Sequence, residues 1–418
     1  VKKNFDSFAF ATANFIFTDD ALQALQQLAA YHRRQFHYPV IGITGSNGKT
    51  IVKEWLHQLL SSSYNIVRSP RSYNSQVGVP LSLWLMKEEY SLGIFEAGIS
   101  KPGEMQKLEK MIQPSIGIFT NIGEAHGENF LSQLEKAKEK CLLFQHAEWL
   151  VYPHDNPVIQ KAVAATLPNI KTITWGRSED ATVQIIDIVK QEEQTLITIL
   201  FNNSTHQLSI PFTDDASEQN ALSCITTLLQ LDIDAATIQQ KLLQLQAVDM
   251  RLQLMEAINQ CSVINDSYSF DITSFSAALD FLLQQHRYTN HTVIISDLPE
   301  TTHINAYTQV AEMMRAKNIQ RIITVGEQWL HYESLLKNHF SSVQQFISTE
   351  ELLRQFSANH FRSEVILLKG ARRFAFEKIS DRLEKKVHQT VMEINLTALA
   401  HNLNQYMSTL RKDVKVMA

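Results

Sequence analysis

Residues 43–50, with the sequence ITGSNGKT, decide the fold of this chain. They include the end of an apolar run at residues 40–44 and precede apolar side chains at helical spacing in residues 51–60. A strand that leads through a glycine-rich turn into a helix is typical of a parallel α/β sheet. The stretch therefore predicts a phosphate-binding loop, or P-loop, at the start of such a sheet.

The residue types in this loop suit a nucleotide and its metal ion. Glycines let backbone N–H groups face phosphate oxygens, Lys49 adds a positive charge, and the Thr50 hydroxyl is a ligand for Mg²⁺. The loop departs from the strict P-loop motif, which has its first glycine where this chain has Ile43. The alternative to a phosphate-binding loop is an ordinary glycine turn at the end of a strand. The flanking strand and helix favour ATP binding, which we assign to Gly45, Ser46, Asn47, Gly48, Lys49 and Thr50.

Two later strand ends carry further candidate residues. Glu96 follows the apolar run 92–95, and His126 follows the run 116–120 within the sequence TNIGEAH. The carboxyl ends of parallel strands meet at one edge of a sheet, so we expect both residues beside the P-loop. A lone acid or histidine is more often solvated or structural. The convergence of three strand ends favours a metal site with Thr50, Glu96 and His126 as ligands.

The rest of the chain predicts two α/β domains. The helical spacing of Leu22, Leu25, Leu28 and Ala29 predicts a helix with one buried face before the P-loop strand. A β-rich stretch at residues 183–210 predicts antiparallel strands. Apolar runs at residues 262–264, 292–296, 321–325 and 365–368 indicate a second, Rossmann-like α/β domain. We predict an ATP-binding domain at residues 39–246 and a second domain at residues 247–386.

The composition excludes several classes of function. The chain has 418 residues, a length typical of more than one domain. Its residues are 44% hydrophobic and 19% charged, as in soluble proteins, and its net charge is −5. This charge favours neither nucleic acid nor an anionic membrane as partner, and no apolar run has the length of a membrane span. Cys141, Cys224 and Cys261 lack metal-binding spacing, which suits a reducing cytoplasm.

Four motifs, in this order and spacing, resemble the central domain of the Mur ligases: GSNGKT at 45–50, SYNSQVGVP at 72–80, FEAG at 95–98 and TNIGEAH at 120–126. The resemblance implies a P-loop domain with a mostly parallel sheet, ATP, two Mg²⁺ ions, and catalytic roles for Lys49 and His126. It also implies a catalytic lysine that CO₂ carbamylates and that becomes a metal ligand. Lys140, four residues before Phe144, has the family's spacing and is favoured over Lys138.

Further matches extend the resemblance to nucleotide and substrate contacts. Asn220 in SEQNAL matches an asparagine that contacts adenine, although Ala216 and Ser217 replace the residues usual in the family. Arg251 matches an arginine near the ribose, and Asp266 an aspartate of the third domain, which closes over ATP. The residues matched to substrate binding are Asn74, Ser75, Lys369 and Arg372.

Within the Mur ligases, two motifs are most similar to the members that add D-alanyl-D-alanine to a UDP-N-acetylmuramoyl-tripeptide: INDSYSFD at 264–271 and LLKGARR at 367–373. The resemblance implies an acyl phosphate formed from ATP, which the dipeptide amine then attacks. Two alternatives stay open. One is another ligase of the same fold, either a different Mur step or a folylpolyglutamate synthetase. The other is a non-catalytic scaffold, which has no use for an intact set of P-loop and metal residues.

Both ends of the chain predict a fragment of a longer protein. Residues 1–38 resemble the end of the family's uridine-nucleotide domain and its linker helix. Residues 387–418, with EINLTALAHNL at 393–403, resemble the opening of an alanine racemase, a (β/α) barrel with pyridoxal phosphate. We therefore expect a ligase–racemase fusion that carries pyridoxal phosphate in the racemase part and dimerises through it.

Overall fold

The structure of the protein is a computed structural model. It describes residues 17–123, 129–248, 253–267, 270, 272–283, 285, 288–298, 305–357 and 360–384, and the single positions 401, 405 and 410. No helix within these residues is both long enough and apolar enough to span a bilayer.

The first sheet has nine strands in the order β2-β3-β1-β4-β5-β6-β7-β8-β9. Neighbours from β2 to β7 are parallel, and the β7–β8 and β8–β9 pairs are antiparallel. The strands are β1 Val40–Thr44, β2 Ile66–Arg68, β3 Leu92–Glu96, β4 Ile116–Phe119, β5 Trp149–Pro153, β6 Lys171–Gly176, β7 Val183–Lys190, β8 Thr195–Phe201 and β9 Ser204–Ile210.

Helices cover both faces of this sheet. One apolar cluster joins the strands to α2, α7 and α8, and a second joins them to α1 and α3 through α6. The helices are α1 Ala21–Arg33, α2 Lys49–Leu60, α3 Gly78–Leu83, α4 Met105–Ile112, α5 Gln133–Cys141, α6 Pro157–Thr166, α7 Asp215–Gln230 and α8 Ala235–Leu242. Because β1 lies between β3 and β4, the chain crosses in both directions from it, which places a ligand crevice at its carboxyl end.

Helix α1 has only part of the predicted buried face. Leu22 and Leu28 are 39% and 48% exposed, so they do not form the predicted buried face. The buried contacts come from Ala29, as predicted, and from Arg33, whose guanidinium donates to the carbonyl oxygens of Ile112 and Gln113 at the end of α4. A polar anchor therefore replaces part of the leucine stripe.

The second sheet has six strands in the order β10-β11-β15-β12-β13-β14, parallel except for the β10–β11 pair. Its strands are β10 Gln253–Ala257, β11 Cys261–Asp266, β12 Asn290–Ser296, β13 Arg321–Val325, β14 Ser342–Phe346 and β15 Glu364–Lys369. Its helices are α9 Ile272–Leu283, α10 Ala306–Ala316, α11 Glu333–His339, α12 Thr349–Gln355 and α13 Glu377–Leu383. Asp266 and Lys369 are register partners at the carboxyl ends of β11 and β15.

The expected α/β class with mostly parallel sheets is confirmed. Strands β2, β6, β10 and β14 are additions that the apolar runs did not indicate. The expected racemase opening at 387–418 lies outside the described residues, apart from positions 401, 405 and 410.

Candidate active site

The P-loop connects β1 to α2 with a backbone that requires glycine. Gly45 has φ +150° and Gly48 has φ +80°. A Cβ atom at Gly45 would lie 2.0 Å from Thr120 Oγ1, and one at Gly48 would lie 2.2 Å from Asn220 Oδ1. Both the backbone conformation and the packing therefore exclude side chains at these positions.

Helix α2 begins inside this loop, and no side chain caps its N-terminus. The first N–H groups of a helix have no partner within the helix and carry partial positive charge. The Lys49 ammonium donates to the carbonyl oxygens of Gly45 at 2.8 Å and Ser46 at 3.0 Å, which holds it over the loop. This end of α2 is suited to bind an anion such as a nucleotide phosphate.

A second loop, directly after β4, supports the P-loop. Asn121 accepts the Ser46 N–H at its carbonyl oxygen and the Asn47 N–H at Oδ1, at 3.0 and 2.9 Å. The Thr120 hydroxyl donates to the Asn47 carbonyl oxygen at 2.5 Å. Asn121 was not among the residues predicted from the sequence. Its only signal was its place in TNIGEAH, the motif chosen for His126, which itself lies outside the described residues.

Thr50 and Glu96 meet at the carboxyl edge of the first sheet, as the strand ends predicted. The Thr50 hydroxyl donates to Glu96 Oε2 at 3.1 Å and lies 2.9 Å from the Ser72 hydroxyl. The Asn74 amide also donates to Glu96 Oε2, at 3.3 Å. Glu96 Oε1 is buried and accepts no hydrogen bond from the described residues. A hydroxyl and a carboxylate oxygen side by side, Thr50 Oγ1 and Glu96 Oε2, fit a hard cation such as Mg²⁺.

Lys53 lies one helical turn after Lys49 and approaches the same carboxylate. Its Nζ is 3.0 Å from Glu96 Oε1, and both side chains are fully buried. The contact is an ion pair that is not aligned as a hydrogen bond, and the ammonium also donates to the carbonyl oxygens of Ser69, at 2.7 Å, and Arg71. Lys53 was not among the residues predicted from the sequence, because a lysine followed by a glutamate is ordinary on an exposed helix face.

Glu54 is the second acid beside Lys53. Burial would raise the pKa of Glu54, but the charges of Lys53 and Arg68 outweigh it and lower the pKa below its usual value. Arg68 Nε donates to Glu54 Oε2 at 2.9 Å. Glu54 therefore has a cation of its own in addition to Lys53.

Helix α5 brings two buried lysines to the P-loop. Lys140 is 3% exposed and donates to the Gly45 carbonyl oxygen at 3.0 Å. Burial, together with the charges of Lys49 and Lys136, lowers the pKa of Lys140 well below its usual range. Lys136 donates to the Gly123 carbonyl oxygen at 2.6 Å, and Lys138 is exposed. The structure thus places Lys140, and not Lys138, at the P-loop.

The other predicted residues lie in different surroundings. Asn220, expected at adenine, is 5% exposed and packs against Gly48. Ser75, expected at the substrate, accepts the Gly78 N–H at the start of α3. Arg372 is exposed in the loop after β15, and Arg251 lies outside the described residues.

Asp266 and Lys369, which we assigned to ATP and to substrate respectively, pair with each other. Lys369 Nζ lies 2.5 Å from Asp266 Oδ2 and 2.9 Å from the Ser274 hydroxyl. Lys369 is 1% exposed and Asp266 is 5% exposed. The pair connects β11 to β15 at the carboxyl edge of the second sheet.

A P-loop at an uncapped helix start, beside a hydroxyl and a carboxylate, is the arrangement expected of a nucleotide-dependent enzyme. Residues 43–228 match the model of the Mur ligase middle domain. The chain is 28% identical over 371 residues to the UDP-N-acetylmuramoyl-tripeptide–D-alanyl-D-alanine ligase of Bacillus subtilis (strain 168), covering 87% of this chain and 80% of that protein. It is therefore homologous to a Mur ligase enzyme over most of its length.

Solved structures show the same fold. MurF from Acinetobacter baumannii superposes with a TM-score of 0.74 at 23% identity, over 88% of this chain and 81% of that one. The folylpolyglutamate synthase of Mycobacterium tuberculosis, complexed with ADP, superposes with a TM-score of 0.67 at 12% identity, over 86% of this chain and 93% of that one. The fold is thus shared with ligases of different substrates, and the fold alone does not choose between them.

Proposed function

We propose that this chain is the ATP-dependent ligase that joins D-alanyl-D-alanine to a UDP-N-acetylmuramoyl-tripeptide in peptidoglycan synthesis. The observation that carries the proposal is the meeting of Thr50 and Glu96 beside the uncapped start of α2. That geometry supports phosphoryl transfer from ATP. The substrate pair is supported by the curated relative, which bears this ligase's name.

The reaction couples two displacements. A carboxylate oxygen of the tripeptide attacks the γ-phosphorus of ATP, ADP leaves, and an acyl phosphate forms. The dipeptide amine then attacks the acyl carbon and loses a proton, a C–N bond forms, and inorganic phosphate leaves with one former carboxylate oxygen. Each step brings anions together, so fixed positive charge is the main requirement of the site.

The residues of this chain meet that requirement in two places. Lys49 and the N–H groups at the start of α2 would hold the β- and γ-phosphates. Thr50 and Glu96 would hold Mg²⁺, which when bound neutralises phosphate charge. Asn74 donates to Glu96 and would keep its Oε2 facing this site.

We also propose that Lys140 is carbamylated and provides a second anionic metal ligand, together with His126. Lys140 is buried at the P-loop, where Lys49 and Lys136 add positive charge that a carbamate would balance. The exposed Lys138 has no such surroundings. Protein prepared with ¹³C-labelled bicarbonate should show one carbamate carbon by NMR, absent from Lys140→Ala and retained in Lys138→Ala.

Oxygen tracing tests the ligase reaction directly. The terminal carboxylate of the tripeptide is labelled with ¹⁸O, and the phosphate released with D-alanyl-D-alanine is analysed by mass spectrometry. One ¹⁸O atom per phosphate is expected, and unlabelled phosphate would contradict the acyl phosphate. Parallel reactions with the shorter muramyl peptides and their amino acids, and with folate and glutamate, test the other ligases of this fold. Failure to release phosphate with every pair would support the scaffold.

A racemase continuation remains a separate proposal, supported by the sequence EINLTALAHNL alone. The full-length protein is expected to bind pyridoxal phosphate, to interconvert L- and D-alanine, and to form a dimer through the racemase part. Absence of both pyridoxal phosphate absorbance and racemisation in that protein would refute it without affecting the ligase proposal.

A further inference from the structure

Lys53 is a fully buried lysine to which the ligase reaction assigns no role. Its ammonium contacts four acceptors: the carbonyl oxygens of Ser69 and Arg71, and the carboxylates of Glu54 and Glu96, each at 3.0 Å. Because α2 carries both Lys49 and Lys53, the same helix reaches the nucleotide loop and the metal-ligand carboxylate.

The two carboxylates beside Lys53 differ in how far they depend on it for a positive charge. Glu54 is 20% exposed at its side chain and has Arg68 as a second cation. Glu96 is fully buried, and in the part of the chain that the structure describes Lys53 is its ion-pair partner. A buried carboxylate that loses its only cation is strongly destabilising. The metal-free protein therefore depends on Lys53 to accommodate Glu96.

The two oxygens of Glu96 also have different neighbours. Oε1 faces Lys53, whereas Oε2 accepts hydrogen bonds from Thr50 and Asn74. The ammonium thus occupies one side of the carboxylate and leaves the other side towards the P-loop. A divalent cation at Oε2 would be repelled by the nearby ammonium unless phosphate charges offset it.

We propose that Lys53 is a positioning residue that acts as the built-in counter-ion of Glu96 and makes metal binding depend on the nucleotide. It holds the carboxylate in place before the metal arrives, and it opposes a divalent cation that arrives without phosphates. This inference rests on the proposed magnesium and nucleotide site.

A purely structural role for Lys53 gives a different expectation. Its bonds to Ser69 and Arg71 connect α2 to the segment after β2, and loss of that connection alone would lower stability without changing the response to metal. Lys241 provides a matched control, because its ammonium connects α8 to the other end of α2 through the Leu59 carbonyl oxygen and the Ser62 hydroxyl. No carboxylate is involved in those two bonds.

The experiment compares wild type, Lys53→Met and Lys241→Met with Mn²⁺ alone as the probe, in the absence of nucleotide. Thermal unfolding and Mn²⁺ electron paramagnetic resonance are the readouts. Without metal, Lys53→Met should have a lower melting temperature than wild type, and added Mn²⁺ should restore most of the difference. The variant should also bind Mn²⁺ on the order of tenfold more tightly than wild type. Lys241→Met should melt lower without gaining a response to Mn²⁺. The same lack of response in Lys53→Met would overturn the proposal.

Glu96→Gln completes a double-mutant cycle. If Lys53 acts through Glu96, Lys53→Met should cost less stability in the Glu96→Gln background than in wild type, and the Mn²⁺ response should disappear. Should Lys53→Met fail to fold, folding of the Lys53→Met/Glu96→Gln double variant supports the proposal. An unfolded double variant contradicts it, since the carboxylate charge is then absent.

One measurement separates this inference from the proposed function. Mn²⁺ binding in the presence of ADP should weaken in Glu96→Gln. If it does not, Glu96 is not a metal ligand and the proposed site fails. If it does, while Lys53→Met shows no gain with Mn²⁺ alone, only the counter-ion role of Lys53 is wrong.

Discussion

Replacing Gly48 with alanine adds one methyl group at the start of α2, where φ is +80° and the new Cβ would lie 2.2 Å from Asn220 Oδ1. The positive φ costs an L-residue about 1–2 kcal/mol. Displacement of the buried Asn220 side chain adds roughly 1–2 kcal/mol of overpacking strain. If the loop relaxes away from its phosphate-binding shape to relieve this strain, ADP binding should weaken by roughly 2–4 kcal/mol, about 30-fold or more.

Titration calorimetry with Mg²⁺-ADP measures this loss, and Gly103→Ala is the matched control. Gly103 has φ +78°, but no atom lies within 4 Å of its added Cβ, so this variant shows the backbone cost alone. Its ADP affinity should equal that of wild type. An ADP affinity within about threefold of wild type in Gly48→Ala would refute the reasoning.

Three further predictions concern charged side chains. Lys49→Ala should reduce phosphate release by at least about 100-fold, a barrier increase of roughly 2.7 kcal/mol, with an unchanged circular dichroism spectrum; a loss under about tenfold would contradict the phosphate role. Lys140→Ala should be nearly inactive and partly rescued by small carboxylates that replace the carbamate. If Lys138→Ala shows this behaviour and Lys140→Ala does not, Lys138 is the carbamylated lysine. Lys369→Met should lower the free energy of unfolding by about 3–5 kcal/mol, because Asp266 loses its buried partner. In urea denaturation, Lys369→Met should lower the free energy of unfolding by less in an Asp266→Asn background than in wild type. Equal losses in the two backgrounds would argue against the pair.

Several parts of the fold follow from local sequence patterns. The predicted strand at 40–44 coincides with β1, because a buried parallel strand is a continuous apolar run and the glycine turn marks its end. Glu96 was found for a related reason, since strand ends in such a sheet share one edge. The missed strands β2 and β14 are short or polar, IVR and SVQQF. Pairing with neighbours defines them more than their own side chains do.

The surroundings of the lysines and asparagines were decided only by the tertiary structure. In sequence, Lys53, Lys138 and Lys140 are similar residues on polar helix faces, yet two of them are buried and one is exposed. Burial depends on which helix face meets the sheet and on loops far away in the chain. Asn220, 172 residues after Gly48, approaches it only because α7 packs against α2. Local sequence patterns determined which residue types lie at the P-loop. Long-range packing determined which charges face one another there, because electrostatic energies depend on distance and desolvation in the folded chain.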